Sequence, residues 1–251
     1  LLTHLQTYGE PASSQPLPEF SWDHGSIDEF YENYVKVPHP TVIRNFPSRA
    51  SSWSVDYFVE HYGDTPTLLT DMTSKEHYEG YIRDLKKPAP SGGAPYIHNF
   101  ETIFEQHPEL IEELGLERLS PYLGRDHVSF AHHLFLGSSS GSGAAFHCAE
   151  IFNFFYQLEG VKRWYFVDPK FMFLLYPLLS EGNGYQASLV NGIRPEQEDI
   201  AEYPLYAYCP RYMVELQAGD LLLNPPHWYH AVGNVTEHTS AVATRWGSQD
   251  V

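Results

Sequence analysis

A chain of 251 residues with 42% hydrophobic and 15% aromatic residues is long enough to bury a substantial core. Its 15 Lys and Arg stand against 32 Asp and Glu, and the net charge of −17 argues against broad contact with nucleic acid, because such binding depends on cations that neutralise phosphates. The acidity suits solubility, and it is compatible with a small-molecule ligand or a basic partner surface.

The cysteine count and the hydropathy pattern bear on the cellular compartment. Two cysteines, Cys148 and Cys209, are too few for a disulfide framework, which favours a reducing compartment and leaves a single bridge open. No run approaches the ~20 apolar residues of a membrane span, and no charged-then-apolar signal segment opens the chain. We expect no membrane span and an intracellular, cytoplasmic protein. Because the chain begins with Leu1, a removed targeting segment is an alternative, and the oligomeric state is open.

The first half of the chain predicts an extended arm followed by a largely helical preface. Residues 1–25, rich in Pro, Ser and Gln, predict the arm. Apolar residues at helical spacing and candidate caps then predict the preface over residues 26–127. The predicted helices begin at Ser26, run through Ser54–Tyr62, and fill Phe100–Gly115, which Pro108 divides; the predicted strands are Thr41–Asn45 and Thr65–Thr70.

After Val128 the sequence changes to strands with tight turns. The predicted strands are Val128–Leu136, Ala145–Leu158, Arg163–Val167, Tyr212–Gln217, Asp220–Asn224, His230–Asn234 and Thr239–Trp246. This pattern fits an antiparallel barrel or a double-sheet jelly roll, and therefore a mainly β fold with a helical N-terminal part. We expect one domain, with the barrel over residues 128–251 and an insert at 171–212.

Within this barrel, the segment that begins at Phe146 resembles one side of a non-haem metal site. An iron(II) oxygenase of the facial-triad type needs two imidazoles and one carboxylate on one side of the metal. Strand residues alternate faces, so if His147 points inward then Ala149 and Asn153 do too, whereas Glu150 points outward. Glu150 would need a bulge that inverts the register before it reached a metal.

A second imidazole follows the sequence Asn-Pro-Pro, which ends strand pairing at a barrel rim. His230 is the better candidate for the second ligand, and His227 is the lesser one. Between the two ligand segments, Lys162 begins a strand. If it is buried, its ammonium needs an anionic partner, such as the distal carboxylate of a dicarboxylate cosubstrate; the alternative is an exposed lysine.

These residues carry a family resemblance. The stretches Phe146–Phe166 and Val214–Val232 resemble the JmjC branch of iron(II)/2-oxoglutarate oxygenases, particularly small cupin-like members similar to the asparaginyl hydroxylase that acts on hypoxia-inducible factor, and the sequence Thr-Val-Ile-Arg-Asn-Phe-Pro from residue 41 resembles the start of these domains. The resemblance implies a JmjC-like double-stranded β-helix, iron(II) and 2-oxoglutarate. It places metal ligands at His147 and His230, the cosubstrate lysine at Lys162 and an inward asparagine at Asn153.

Two positions depart from the family pattern: Ala149 stands where the acidic ligand is expected, and Ala144 where a threonine often assists the cosubstrate. Three outcomes are physically reasonable. A chloride ion fills the vacancy, as in related halogenating enzymes, or His133 supplies a third imidazole, an arrangement that also suits copper or zinc. In the third, the barrel has lost catalysis and acts as a binding module.

Two further features concern ligand recognition. The guanidinium of Arg245 can hold a carboxylate of the cosubstrate or of an acidic substrate, or it can form a salt bridge on the barrel rim. The insert is rich in tyrosines, most of which we expect to pack the connection onto the barrel: Tyr176, Tyr185, Tyr203, Tyr206 and Tyr208. The sequence therefore favours an oxidoreductase that hydroxylates or halogenates a protein side chain or a small molecule.

Overall fold

Two β-sheets packed face to face form the centre of the fold. The computed structural model describes residues 2–124, 127–178 and 185–248. The described strands are β1 (Ser14–Pro16), β2 (Glu19–Ser21), β3 (Thr41–Arg44), β4 (Pro66–Asp71), β5 (His77–Tyr81), β6 (Pro95–Phe100), β7 (His127–Ser138), β8 (Gly143–Ala149), β9 (Phe152–Glu159), β10 (Lys162–Val167), β11 (Tyr185–Ala187), β12 (Arg211–Leu216), β13 (Leu221–Asn224), β14 (Tyr229–Asn234) and β15 (His238–Ser248).

One sheet has the strand order β1-β12-β10-β14-β8-β11, and the other has the order β2-β3-β13-β9-β15-β7-β6-β4-β5. Most pairs are antiparallel, whereas β1 with β12 and β2 with β3 are parallel. The mainly β, double-sheet fold class predicted from the sequence is confirmed. Preface strands β3 and β6 pair with barrel strands β13 and β7, so the preface continues the larger sheet.

Alternation along the strands divides the apolar residues between the interior of the barrel and its outer faces. Phe155, Trp164 and Leu222 belong to a cluster between the two sheets. Their neighbours Phe154 and Leu223 belong instead to the cluster under the preface. Because the period of a strand is two, each of these strands contributes to two separate cores.

The helices lie outside the barrel. They are α1 (Leu2–Tyr8), α2 (Ile27–Phe30), α3 (Val55–Tyr62), α4 (Thr102–Gln106), α5 (Glu109–Leu114), α6 (Ser120–Leu123) and α7 (Glu196–Glu202), with a π-helix at Tyr31–Val35 and 3-10 helices at Ala50–Ser52, Ile82–Lys86, Leu116–Leu119, Pro169–Leu175 and Pro204–Tyr208. In the described part of the chain, none of these helices is long and apolar enough to cross a membrane.

The predicted helix starts are confirmed by their caps. Ser26 Oγ accepts a hydrogen bond from Glu29 N at 3.1 Å, and Ser54 Oγ accepts one from Tyr57 N at 3.0 Å. Each bond satisfies a backbone donor that the first turn leaves without a partner. Pro108 is the N-cap of α5 and separates it from α4, as predicted.

Three local predictions need correction. The arm at residues 1–25 is not simply extended, because it contains α1 as well as β1 and β2. Strands β5 and β6 fall where no strand was expected. The predicted single strand Ala145–Leu158 is two strands, β8 and β9, because the chain bends at residues 150–151 and passes from one sheet to the other.

The insert covers the outer face of the smaller sheet. Phe146 and Cys148 on β8 pack there with Leu174 and Cys209 from the insert. Both cysteines are buried free thiols, so the single bridge considered from the sequence is not formed. Within the insert, residues 179–184 lie outside the described residues.

Candidate functional site

Two histidines face each other at one end of the barrel interior. His147 on β8 and His230 on β14 are paired positions in the antiparallel ladder. Their ring centroids lie 4.2 Å apart with 58° between the planes. Alternation directs His147 inward, since its neighbours Phe146 and Cys148 pack under the insert.

Backbone carbonyls orient both imidazoles in the same way. His147 Nδ1 lies 2.8 Å from Ala145 O, and His230 Nδ1 lies 3.0 Å from Trp228 O. A ring that donates its Nδ1–H to a carbonyl carries its lone pair on Nε2, which is the tautomer that binds a metal. His147 can therefore act as a ligand through Nε2. His230 can do so once the side-chain amide of Asn224, which lies 3.3 Å from His230 Nε2, turns away.

The environment keeps these rings neutral. Burial lowers the pKa of His147 below its usual value. Burial, together with repulsion from His147, holds the pKa of His230 well below its usual range. Neutral imidazoles do not have to lose a proton before they bind a metal.

A cavity of about 440 Å³ runs from the histidine pair into the barrel. Its lining includes the two preferred metal ligands and the three candidate cosubstrate residues: His147, Asn153, Lys162, His230 and Arg245. Ala144, which stands in place of the family threonine, also lines this cavity. The structure therefore brings the predicted set together in one place.

Lys162 lies at the other end of the cavity and is only 2% exposed. Its Nζ donates a hydrogen bond to Asn234 Oδ1 and lies 5.7 Å from the centroid of the Tyr96 ring. Burial lowers the pKa of Lys162 to about 7. Among the described residues, no carboxylate forms an ion pair with Lys162, so its ammonium lacks the anionic partner that burial demands.

Asn153 and Arg245 lie side by side at the histidine end, as paired residues of β9 and β15. Both line the cavity. Asn153 Oδ1 is buried and has no hydrogen-bond partner among the described residues. Arg245 is half-buried, and burial lowers its pKa from the usual value. Neither side chain has its polar groups satisfied.

Ala149 leaves open space beside the histidines. A second cavity of about 230 Å³ is lined by Ala149, His147, His230 and Arg245. Glu150 also lines it, but this residue is exposed and lies in the bend after β8. The alternation argument ends at Ala149, because the strand itself ends there.

His133 is oriented towards other groups. Its Nδ1 lies 3.2 Å from Asn99 Oδ1, and its Nε2 lies 3.7 Å from Glu101 Oε2. Across residues 2–124, 127–178 and 185–248, no three His, Cys, Asp or Glu side chains form a group that could hold a metal. Neither His133 nor Glu150 is thus brought together with the histidine pair as a third ligand.

His227, the lesser candidate for second ligand, is exposed and adopts a positive φ of 65°. Its backbone N donates to Ala149 O at 2.7 Å, so its role here is to join two strand ends.

Tyr185 is exceptional among the insert tyrosines. Its ring stacks on His147 at 5.2 Å and lines both cavities.

Residues of the preface also line the larger cavity, although they were not predicted from the sequence as site residues. Tyr96 and His98 on β6 line it together with Thr70 on β4. Thr70 Oγ1 lies 3.1 Å from His98 Nε2, and Ile97 between the two ring residues is buried in the outer core. The alternation Tyr-Ile-His was the signal that could have identified them.

The comparisons with known proteins support the cupin-like fold. A family model described as a cupin-like domain matches residues 27–249. HSPB1-associated protein 1 homolog of Danio rerio is 35% identical over 39% of this chain and 21% of its own length. tRNA wybutosine-synthesizing protein 5 of Gallus gallus is 30% identical over 70% of this chain and 49% of its own length.

Jumonji C domain-containing protein 5 of Drosophila melanogaster is 26% identical over 92% of this chain and 60% of its own length. The chain thus spans about a fifth of the matched HSPB1-associated protein and about half of the matched wybutosine-synthesizing protein. The cavity, the histidine pair and the buried lysine lie within the family match.

Proposed function

Because this chain belongs to the cupin-like domain family, in its JmjC-type branch, we propose that it is a non-haem iron, 2-oxoglutarate-dependent oxidoreductase with a two-histidine metal site. The observation that supports this most is the single cavity with a paired, neutral imidazole couple at one end and a buried lysine at the other. Such a cavity suits a ligand that meets a metal with one end and a cation with the other.

The donor set fits iron at two of the three positions that a facial triad supplies. His147 and His230 would hold the metal through Nε2, since each ring donates its Nδ1–H to a carbonyl. Ala149 offers no third donor, so the remaining positions would be open to water, to an anion or to the cosubstrate. Oxygen activation leading to hydrogen abstraction from the substrate is the chemistry that iron(II) and 2-oxoglutarate would supply there.

Lys162 would bind the far carboxylate of 2-oxoglutarate. The contacts of its buried ammonium with described residues are to the neutral Asn234 and the Tyr96 ring, and a carboxylate would give it the missing countercharge. Asn153, whose buried Oδ1 has no partner among the described residues, would orient the cosubstrate near the metal through its side-chain amide. Tyr185, stacked on His147, would limit the access of water to this end.

The reaction outcome would depend on the space beside Ala149. A water molecule there would favour hydroxylation, and a chloride ion there would favour halogenation. The cavity of about 230 Å³ supports either occupant. The larger cavity of about 440 Å³ suits a small molecule or an extended protein side chain as substrate. The charge of −17 disfavours nucleic acid, although relatives from Gallus gallus and Mus musculus are named tRNA wybutosine-synthesizing protein 5.

Anaerobic loading tests this proposal. Purified protein given iron(II) and 2-oxoglutarate should develop the metal-to-ligand charge-transfer band and retain bound iron. His147→Ala should abolish both, whereas Glu150→Ala, at an exposed neighbouring position, should keep both. Absence of both band and bound iron from the unmodified protein would end the oxygenase proposal. Copper or zinc retained in place of iron would favour a site that recruits His133 as a third imidazole.

A second candidate is a non-catalytic binding module. Two observations favour it: the missing carboxylate at Ala149 and the guanidinium of Arg245 on the same small cavity. A cation in that position weakens the attraction of the site for a divalent metal. In this case the protein should bind the dicarboxylate. Neither bound iron nor oxygen-dependent turnover should be detected.

A further inference from the structure

The larger cavity has a charge character opposite to that of the whole chain. Lys75, Lys162 and Arg245 line it, and no Asp or Glu appears among its described lining residues. The chain has 32 acidic residues against 15 basic ones, so a cavity with cations and no carboxylate is a local exception. Such a cavity attracts anions.

Arg245 is a cation without a protein partner. The described part of the chain offers it no hydrogen bond and no ion pair, and Glu101, which does not line the cavity, attracts it electrostatically. A guanidinium keeps its charge even where burial disfavours it, so Arg245 remains a fork of donors facing the cavity. By contrast, Arg163 on the protein surface forms an ion pair with the carboxylate of Glu215.

Lys162 and Arg245 lie at different levels of the barrel. Lys162 pairs with Asn234 and Phe166 pairs with His230, which sets the backbone of Lys162 about 13 Å from the histidine level at ~3.3 Å per residue. Arg245 lies at the histidine level, since it borders the same small cavity as His147 and His230. The Lys162 ammonium stays near its own level, because it bonds Asn234, its cross-strand partner. Both cations line the cavity, so the space between them is open to a ligand.

From this arrangement we infer that the cavity clamps a short dicarboxylate by both ends, between Lys162 and Arg245, without needing a metal. Arg245 binds the carboxylate nearest the histidines, a position where the missing acidic ligand leaves room. Asn153, the pairing partner of Arg245, lies beside it on the cavity, and its side-chain NH2 group can donate to the same carboxylate. The inference shares Lys162 with the proposed function but does not depend on iron.

Calorimetry on metal-free protein tests the clamp. The full chain, dialysed against a chelator, is titrated with 2-oxoglutarate, succinate, adipate and the monoacid pentanoate. We expect binding of a dicarboxylate of matching length in the presence of chelator, and binding of pentanoate weaker by about tenfold or more, because one charged hydrogen-bonded end is lost.

Two variants identify the ends. Arg245→Gln and Lys162→Met should each weaken dicarboxylate binding by about tenfold or more, and Arg245→Lys should have an intermediate effect because it keeps the charge but loses the fork. Arg163→Gln is the matched control, since Arg163 is exposed and pairs with Glu215 outside the cavity; it should leave affinity unchanged. Circular dichroism and melting temperature confirm that each variant is folded.

The outcomes separate the clamp from the proposed function. If dicarboxylate binds only after iron(II) is restored, or if Arg245→Gln and Arg245→Lys both bind as tightly as the unmodified protein, the clamp is overturned while the oxygenase proposal stands. If dicarboxylate binds with chelator present but no charge-transfer band appears with iron, the clamp stands and the oxygenase proposal fails. No dicarboxylate binding under either condition overturns the clamp.

Discussion

His147 and His230 are direct partners across the β8–β14 ladder, and their ring centroids lie 4.2 Å apart. The pair is thus positioned by strand pairing, next to a register shift between His230 and Val232, and not by loops. Each ring is fixed further by its own Nδ1 contact with a carbonyl two residues before it. A site held by hydrogen-bonded strands keeps its geometry without a bound metal.

Replacing either histidine should remove iron. His147→Ala or His230→Ala leaves a single imidazole, and we expect iron affinity to fall by at least about tenfold, since even supporting contacts of metal ligands contribute that much. Metal content after anaerobic loading measures the loss. His227→Asn is the control: His227 is exposed with a positive φ, which asparagine tolerates, and iron binding should not change. Iron retained by His147→Ala would contradict the assignment.

Restoring the carboxylate should strengthen iron binding. In Ala149→Asp the new side chain would enter the small cavity beside both histidines, and we expect affinity to rise by about tenfold or more, which is about 1.4 kcal/mol. Any dependence of activity on chloride should disappear, because the carboxylate fills the anion's position. Ala149→Ser controls for the added volume and polarity.

Arg245 borders the same cavity and would compete for that aspartate. Adding Arg245→Gln to Ala149→Asp should therefore raise iron affinity further. Halogenation is ruled out as the reaction if turnover is indifferent to chloride both before and after Ala149→Asp.

Dicarboxylate affinity should fall as the pH rises above about 7. Burial lowers the pKa of Lys162 to about 7, so the free lysine is charged below that pH and increasingly neutral above it. A bound carboxylate favours the charged form, so binding above pH 7 takes up a proton and weakens by up to about tenfold per pH unit. Titrations between about pH 6 and 9, in buffers of different ionisation enthalpy, measure the uptake. Lys162→Arg, permanently charged, should bind with a flat pH profile.

Asp199 should be essential to the insert. Its carboxylate is fully buried and accepts from Asn191 N at 3.0 Å, Gly192 N at 2.7 Å and Arg194 Nε at 2.6 Å. Asp199→Ala leaves these donors without an acceptor and should lower the free energy of unfolding by about 3–5 kcal/mol. Glu202→Gln removes the exposed partner of Arg194 and should cost less than about 1 kcal/mol. Denaturant titration compares the two, and equal effects would contradict the argument.

Transfer RNA should not bind. With a net charge of −17 the chain has few cations to neutralise phosphates, and of the three cavity cations Lys162 is buried, Arg245 is half-buried and Lys75 is exposed. Fluorescence anisotropy with labelled tRNA at physiological salt should give no change up to about micromolar protein. Salt-dependent binding below about micromolar protein would contradict this prediction and make nucleic acid a candidate substrate.

The site was predictable where the strand period carried it. His147, Lys162 and His230 fall on strands whose alternation or proline boundaries are visible in the sequence, and all of them line one cavity. Asn153 lines the same cavity, but alternation counted from His147 does not continue across the bend at residues 150–151. Tyr185 could not be placed, because it lies on a long connection without periodicity and reaches His147 only through the pairing of β11 with β8.

The fold was predictable in class but not in every element. The run from Ala145 to Leu158 has no glycine or proline at residues 150–151, so nothing local marked the bend that moves Asn153 to the opposite sheet. Helix α1 is stabilised by tertiary packing, since Leu5 contacts the core under the insert. Propensity gives little warning of elements that depend on such distant contacts.

The short strands β1 and β2 have a consequence for recombinant fragments. The family match begins at residue 27, yet β1 lies along β12 and β2 lies along β3, each at the margin of its sheet. Leu17 follows β1 and is buried in the cluster between the two sheets. Phe20 lies in β2 and is buried in the cluster under the preface. A fragment cut at the family boundary would expose two bare strand edges and empty two core positions, and it should associate edge to edge in solution.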